Sequence, residues 1–253
     1  MREFSVWARR LDETAAPKGE TLSTQSPPTL ALIHTSPTLS PAFHALCRRH
    51  IPEAAVFHMV DESLIQETVR AGCLRKPTIR RLVSQIASAE SAGASAVLVT
   101  CSSIGPGVTL AQQLFEIPVL RIDDAMAETA VRQARVIGVL ATLRTTLDPT
   151  AALLREKAAE AGRTVELVEC LCEGAFPAVL AGDTATHDRM VRKALTEDLQ
   201  GVDVIVLAQA SMARVVATLG ADVLHAPVLS SPELAVQRAR QALALPEAVR
   251  AGA

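Results

Sequence analysis

Cys101 is the side chain of this sequence with the strongest case for a chemical role. It follows the apolar run AVLVT at 96–100 and precedes Ser102, Ser103 and a Gly-Pro-Gly turn. A thiolate acts as a base and as a nucleophile, and backbone N–H dipoles at the start of a following helix lower the pKa of a thiol. Cysteine often only fills space in a core, but a position directly beyond a buried strand favours chemistry. We therefore expect Cys101 to be a catalytic acid, base or nucleophile.

Hydroxyl and amide side chains follow the other apolar runs in the same way. Together with backbone N–H groups at helix starts, such side chains suit a small carboxylate, because helix N-termini favour anions. Gln209 is expected to add a hydrogen-bond donor from the opposing side. The predicted carboxylate-binding residues are Thr35, Ser36, Thr100, Ser102, Ser103, Thr142, Thr145, Ala210 and Ser211.

Other candidate groups are less specific. His34 ends the first apolar run, directly before Thr35, where it is either an acid–base group or proton shuttle, or an ordinary hydrogen-bonded histidine. Cys170 and Cys172 form a C-x-C pair near the end of another run and are further candidates for the cleft, although such a pair alone is a poor zinc site. No HExxH, P-loop or GxGxxG motif occurs in a suitable context, so the sequence gives no support for metal, nucleotide or dinucleotide binding.

Short Val/Ile/Leu runs alternate with longer amphipathic segments from residue 30 onward. Continuous apolar runs bounded by Gly, Pro or Asp suit strands buried on both faces, and their alternation with helices indicates βαβ units. The predicted fold class is therefore α/β, with mainly parallel sheets flanked by helices. The predicted strands are 30–34, 54–60, 96–100, 118–122, 136–141, 164–170, 203–208 and 222–229. The predicted helices are 79–92, 125–135, 149–161, 187–200 and 232–245.

Three elements of the chain recur in the same order at nearly one offset. The paired segments are 31–35 with 138–142, 93–103 with 201–211, and 117–120 with 226–229, at offsets of 107, 108 and 109 residues. The repeat indicates two similar lobes related by a pseudo-two-fold axis, with the ligand in a cleft beyond the carboxyl ends of the strands. Thr35 then matches Thr142, and Cys101 matches Gln209. The predicted organisation is an N-terminal extension at 1–28, a first lobe at 29–125 plus 226–253, and a second lobe at 126–225.

Composition excludes several kinds of partner. The chain has 25 Lys plus Arg against 27 Asp plus Glu, no basic stripe and only 2% aromatic residues, which argues against nucleic acid. No apolar run reaches the roughly 18 residues that span a bilayer, and the N-terminus lacks the apolar stretch of a secretory signal, so no membrane partner is expected. Five cysteines at irregular spacings do not form a disulfide framework, which favours a cytoplasmic location.

Four segments resemble the aspartate/glutamate racemase superfamily, which includes hydantoin racemases, maleate isomerases and arylmalonate decarboxylases. They are VLVTCSS at 97–103, GVLAT at 138–142 followed by Thr145, GAFPAVLAGD at 174–183 and VIVLAQASM at 204–212, and the resemblance covers about residues 30–245. It implies two similar lobes, no metal or organic cofactor, and a homo-oligomer, a dimer or higher. It also implies one cysteine per lobe on opposite sides of the substrate's α-carbon, with Thr, Ser, Asn and backbone N–H groups around the carboxylate.

The second lobe departs from this pattern, because Gln209 stands in LAQASM where the superfamily has a cysteine. Glutamine neither takes nor gives a proton at neutral pH. One possibility is that His34, Cys170 or Cys172 serves the second face of the substrate. Another is protonation from one face only, as in a decarboxylase, and a third is a nucleophilic role for Cys101, as in a maleate isomerase.

The leading expectation is a cofactor-independent racemase- or isomerase-like enzyme that acts at the α-carbon of a small carboxylic acid, an amino acid or a related acid, through Cys101. Removal of an α-proton creates a carbanion whose charge spreads onto the carboxylate, where prearranged donors stabilise it. Two alternatives remain. One is a decarboxylase of a malonate-type acid in which the single cysteine donates the proton, and the other is a non-catalytic protein that binds a small carboxylate.

Overall fold

The computed structural model describes residues 27–220 and 223–245. Two four-stranded sheets form the centre of the molecule, and every strand pair in both of them is parallel. The predicted N-terminal extension, 1–28, lies outside the described residues apart from 27 and 28. No helix in the described ranges has the length and apolar character needed to cross a membrane.

The first sheet has the strand order β2-β1-β3-β4 and the second has the order β6-β5-β7-β8. The central strands are buried along most of their length, as continuous apolar runs predict. The first-sheet strands are β1 (Thr29–His34), β2 (Ala55–Val60), β3 (Ala96–Val99) and β4 (Val119–Arg121). The second-sheet strands are β5 (Val136–Ala141), β6 (Glu166–Leu171), β7 (Val204–Leu207) and β8 (Val228–Ser230).

The strand order confirms the internal repeat. Strands β5, β7 and β8 begin 107, 108 and 109 residues after β1, β3 and β4, respectively, which are the offsets seen in the sequence. Each pair of equivalent strands occupies the same position in its sheet. The predicted α/β fold with two similar lobes is therefore confirmed.

Ten helices surround the sheets in the described ranges, and each predicted helix has a counterpart. The predicted helix at 187–200 is interrupted by a π-helical turn at Ala194–Asp198. The sequence also indicates a helical stretch at 42–50 and a helix end near Gly72, which correspond to α1 and α2, whereas α4, α7 and α9 were not predicted. The first five helices are α1 (Ser40–His50), α2 (Glu62–Ala71), α3 (Lys76–Ser91), α4 (Gly105–Ala111) and α5 (Asp124–Gln133). The others are α6 (Arg144–Glu160), α7 (Ala175–Leu180), α8 (Thr184–Lys193), α9 (Ala213–Val216) and α10 (Ser231–Ala242).

The chain crosses between the lobes near its C-terminal end. The sequence predicts 226–253 as part of the first lobe. Strand β8, however, is hydrogen-bonded to β7 and completes the second sheet, so this strand belongs to the second lobe. Helix α10 then buries Ala235, Val236 and Ala239 in the same apolar cluster as Leu30 of β1. The last helix therefore packs against the first lobe and ties the two lobes together.

Candidate active site

A cavity of about 320 Å³ lies where the carboxyl ends of the strands of both sheets meet. This is the edge at which parallel α/β sheets bind ligands. Each lobe contributes the segment that follows its central strand, 100–103 after β3 and 208–211 after β7. The full lining consists of Ser36, Thr38, Leu39, Ile65, Thr100, Cys101, Ser102, Ser103, Ile122, Leu143, Thr146, Phe176, Val179, Leu180, Ala208, Gln209, Ala210 and Ser211.

Cys101 and Gln209 occupy equivalent positions in this lining. Each residue has an extended backbone and directly precedes a single 3₁₀ turn, Ser102–Ile104 in the first lobe and Ala210–Met212 in the second. Each lies two residues beyond the end of its strand, and the turn then redirects the chain into helix α4 or α9. The structure thus brings to one cavity the thiol and the amide that the repeat placed at matching positions.

Burial raises the pKa of the Cys101 thiol. The hydroxyl groups of Thr35 and Ser103 and the backbone N–H groups of Ser103 and Ile104 act in the opposite direction, because they stabilise a thiolate. The net direction is upward, so desolvation outweighs the N–H dipoles that the sequence suggested would lower this pKa. Cys101 therefore carries its proton at neutral pH.

Two hydroxyl pairs shape the polar side of the cavity. The Ser36 and Thr38 hydroxyl oxygens are 2.8 Å apart at the end of β1, and those of Ser103 and Thr146 are 2.7 Å apart. The second pair joins the loop that carries Cys101 to the first turn of helix α6 in the other lobe. Its members are buried, so the contact is protected from water.

Gln209 is held by Thr142, its neighbour across the second sheet. The Gln209 Oε1 atom accepts the Thr142 backbone N–H at 2.7 Å, and the Gln209 Nε2 atom donates to Thr142 Oγ1 at 2.8 Å. Thr142 does not line the cavity, and its N–H is already used. The predicted role of Thr142 in holding a carboxylate is therefore corrected, because Gln209 occupies the donor that this role requires.

The remaining predicted carboxylate ligands divide into two groups. Ser36, Thr100, Ser102, Ser103, Ala210 and Ser211 line the cavity. Thr35 lies behind that wall, buried, with its hydroxyl on the Cys101 thiol. Thr145 lies outside the lining, and its buried Oγ1 has no hydrogen-bond partner among the described residues. The next residue, Thr146, faces the cavity in its place, because one step along a helix rotates the side chain by about 100°.

The apolar lining was not foreseen from the sequence. Phe176, Val179 and Leu180 come from helix α7. Leu39, Ile122 and Leu143 lie in the connections that follow β1, β4 and β5, and Ile65 lies in the first turn of α2. The one available signal was the segment GAFPAVLAGD at 174–183, which carries α7 but contains no group with obvious chemistry. Apolar residues at such positions are indistinguishable from ordinary core residues in a single sequence.

His34 does not line the cavity, so of its two predicted roles the structure favours that of an ordinary hydrogen-bonded histidine. It is fully buried and reaches the cavity wall only through Thr100, with 2.8 Å between His34 Nδ1 and Thr100 Oγ1. Its other ring nitrogen, Nε2, is 2.9 Å from Nδ1 of His58. Burial, reinforced by His58, lowers the pKa of His34 to about 4, so the ring is neutral at pH 7.

The lowered pKa of His34 predicts a loss of stability in mild acid. Between pH 6.5 and pH 4 the unfolded chain binds a proton at this residue and the folded chain does not, so the free energy of unfolding falls as the pH falls. The loss attributable to His34 is about 3 kcal/mol by pH 4. Urea denaturation of the wild type and of His34→Asn, each at pH 7 and pH 4.5, measures it. An equal pH dependence in the two proteins would contradict the prediction.

Cys170 and Cys172 lie away from the cavity, so neither is placed to serve a second face of the substrate. The two side chains are hydrogen-bonded to each other, and the Cys172 Sγ atom donates to the Met190 carbonyl at 3.7 Å. That bond and burial raise the pKa of Cys172, while the same bond lowers the pKa of Cys170. Within the described ranges, no group of three or more His, Cys, Asp or Glu side chains is arranged to hold a metal ion.

A buried ion pair supports the loop that carries Cys101. Asp123 accepts the Arg121 Nε and Nη2 hydrogens at 3.0 Å each, and the Arg121 Nη1 atom donates to Thr109 Oγ1 at 3.0 Å. The Arg121 guanidinium lies so close to Gly105 that a Cβ atom there would be 2.6 Å from Nη2. Since Gly105 begins helix α4 directly after the 3₁₀ turn, the ion pair fixes the far side of the thiol loop.

Comparisons with known proteins agree with this architecture. The sequence matches the family model described as Asp/Glu/Hydantoin racemase over residues 32–239. A search of curated proteins gives no match.

Similar solved structures cover most of both chains. A glutamate racemase from Francisella tularensis in complex with D-glutamate has a TM-score of 0.68 at 13% identity, covering 89% of this chain and 85% of that chain. A glutamate racemase from Bacillus anthracis has a TM-score of 0.67 at 17% identity, with 86% and 82% covered. An allantoin racemase from Klebsiella pneumoniae has a TM-score of 0.61 at 19% identity, with 89% and 96% covered. The family match extends over most of the chain, and the chain therefore belongs to the Asp/Glu/Hydantoin racemase family.

Proposed function

We propose that this protein is a cofactor-independent enzyme, racemase- or isomerase-like, that acts at the α-carbon of a small carboxylic acid through Cys101. The observation that carries the proposal is the position of the Cys101 thiol, which shares one cavity between the two lobes with a set of hydroxyl groups. Family membership supports a racemase or isomerase in general terms.

The first lobe supplies the groups that the reaction needs. Ser36, Ser102 and Ser103 line the cavity, and their hydroxyl groups would hold the substrate carboxylate and stabilise the negative charge that spreads onto it when the α-carbon becomes a carbanion. In its thiolate form Cys101 takes the α-proton, so the C–H bond breaks and its electron pair stays on the carbanion and the carboxylate. Return of the proton from the Cys101 thiol restores the starting configuration, and protonation of the opposite face by water inverts it. Because burial raises the pKa of this thiol, its thiolate is a strong base once it forms.

A decarboxylase of a malonate-type acid is the second candidate. The observation that favours it is the pairing of Gln209 with Thr142, which leaves the second lobe without a proton carrier at the position that matches Cys101. Carbon dioxide would leave with the C–C bond broken heterolytically, the Cys101 thiol would protonate the carbanion from one face, and water would reprotonate the thiolate. This route requires only one acid and is consistent with a protonated thiol.

Solvent deuterium exchange at Cα tests these proposals across a panel of amino, hydroxy and malonic acids. Exchange accompanied by inversion supports the racemase, and loss of carbon dioxide with single deuterium incorporation supports the decarboxylase. Saturable binding with neither exchange nor turnover would leave a small-carboxylate-binding protein and would refute both enzymatic proposals.

Restoring a thiol in the second lobe is expected to increase exchange. In Gln209→Cys, a second proton carrier occupies the position equivalent to Cys101, so proton transfer becomes available on both faces. We expect Cα exchange to rise about tenfold or more for both enantiomers of an accepted substrate, on the scale of general acid–base catalysis. Proton NMR in deuterated water measures it.

Gln209→Ala is the matched control, because it also frees Thr142 but adds no thiol. A similar gain in Gln209→Ala would attribute the effect to the release of Thr142. No gain in either variant would show that proton transfer on the second face does not limit exchange.

A further inference from the structure

The cavity contains no charged side chain among the described residues that line it. Its polar groups are hydroxyls, one thiol and one amide, and none of these carries a formal charge at neutral pH. A carboxylate bound here is therefore held by neutral donors alone. A second carboxylate, or an ammonium group, would enter the cavity without an oppositely charged partner.

The second lobe contributes three of the polar side chains that line the cavity, Thr146, Gln209 and Ser211, whereas the first lobe contributes six. The Gln209 amide is engaged twice by Thr142, and the Thr146 hydroxyl is engaged by Ser103 of the first lobe. The groups available to bind an anion are consequently more numerous in the first lobe, around Cys101, and the second lobe adds Ser211. The part of a substrate that points away from this region contacts an apolar surface of the second lobe.

This apolar surface is one face of helix α7. Phe176, Val179 and Leu180 are spaced at i, i+3 and i+4, which places them on the same side of the helix, and all three line the cavity. Leu180 is 72% exposed, an unusual state for a leucine that borders a cavity. A bound apolar group would cover it and remove that surface from water.

We propose that the substrate carries one carboxylate at the reacting carbon and an apolar substituent that packs on α7, with no second charged group distant from that carbon. Phe176, Val179 and Leu180 are its specificity-determining residues. The assignment of a reacting carbon rests on the function proposed above, whereas the preference in binding does not. Transferring an unpaired charge into such a site costs free energy. A ligand with a branched alkyl end should therefore bind much more tightly than a ligand of the same shape with a carboxylate at that end.

Four acids of nearly equal shape separate the effect of a second carboxylate on affinity from the effect of an ammonium group. Isocaproate has an apolar end where succinate has a second carboxylate, and leucine and aspartate are the same two molecules with an ammonium group added. Isothermal titration calorimetry of the wild type and of Cys101→Ala gives the affinities without requiring turnover. We expect isocaproate to bind about tenfold or more tightly than succinate, leucine to bind more weakly than isocaproate, and aspartate to bind most weakly.

A charge introduced on α7 should reverse the preference. In Leu180→Arg, a guanidinium replaces the exposed leucine at the cavity border, so succinate should bind about tenfold more tightly and isocaproate more weakly than to the wild type. Leu114→Arg is the matched control, because Leu114 is also exposed, at 64%, and lies outside the cavity lining. It should leave both affinities unchanged.

Several results would overturn the inference. The first is binding of succinate or aspartate by the wild type that is as tight as, or tighter than, the binding of isocaproate. The second is a Kd weaker than about 10 mM for all four acids. The third is the same shift of affinity in both arginine variants. Equal affinity for leucine and isocaproate would overturn the exclusion of an ammonium group. Apolar preference in binding without exchange or turnover of any acid would support the inference and refute the proposed catalytic function, so the two failures are distinguishable.

Discussion

Replacing Cys101 by alanine is expected to reduce turnover by about 10³-fold or more, since the variant loses the one thiol that lines the cavity. Binding of the substrate carboxylate should change little, because the hydroxyl groups at Ser36, Ser102 and Ser103 remain. Stability should fall by no more than about 1–3 kcal/mol, because the side chain is partly exposed to the cavity and its removal deprives the buried Thr35 hydroxyl of one partner. Steady-state kinetics, ligand titration and urea denaturation measure the three quantities.

Cys73→Ala is the matched control for Cys101→Ala. Cys73 is an exposed free cysteine outside the cavity lining, so its removal also takes away one thiol and should leave turnover unchanged. Undiminished turnover in Cys101→Ala would refute the proposed chemistry. Loss of turnover in both variants would point to a general effect of thiol removal.

Removing the carboxylate of Asp123 is expected to lower the free energy of unfolding by about 3–5 kcal/mol, because it strands the buried Arg121 guanidinium without its counter-charge. Arg121 is held by two hydrogen bonds to Asp123 and lies against Gly105, so its displacement also disturbs the loop before α4. We therefore expect Asp123→Ala to reduce both stability and turnover. Urea denaturation and kinetics at a temperature below its unfolding transition separate the two effects.

Asp148→Ala provides the comparison for the ion pair. Asp148 pairs with Arg144 at 3.3 Å, but both side chains are more than half exposed, so this pair is solvated. Its loss should cost less than about 1 kcal/mol. Similar costs for Asp123→Ala and Asp148→Ala would show that burial of the Arg121 pair adds nothing to stability.

The sequence predicts the fold more completely than the site. Apolar runs and a repeat near 108 residues are enough to predict two parallel sheets, because a strand buried on both faces must be apolar throughout. The last strand illustrates the limit. The pattern predicts 222–229, whereas β8 is Val228–Ser230, because the run DVLHAPVL does not reveal which of its residues find a partner in β7.

The candidate site was predictable where chemistry coincides with strand ends. Cys101 and Gln209 follow equivalent strands, so their meeting in one cavity follows from the repeat. The partners of a side chain were not predictable, as His34 shows, since His58 lies 24 residues away and no spacing rule connects them. The same holds for Gln209, whose role depends on its contact with Thr142. The predicted homo-oligomeric state stays a prediction.

The hydroxyl contact between Ser103 and Thr146 has a consequence for the surroundings of the thiol. Its two ends belong to different halves of the molecule, and one end adjoins the thiol. A movement that separated these oxygens would also release the Ser103 hydroxyl, which contacts the Cys101 thiol, so the relative position of the two halves and the surroundings of the thiol are coupled.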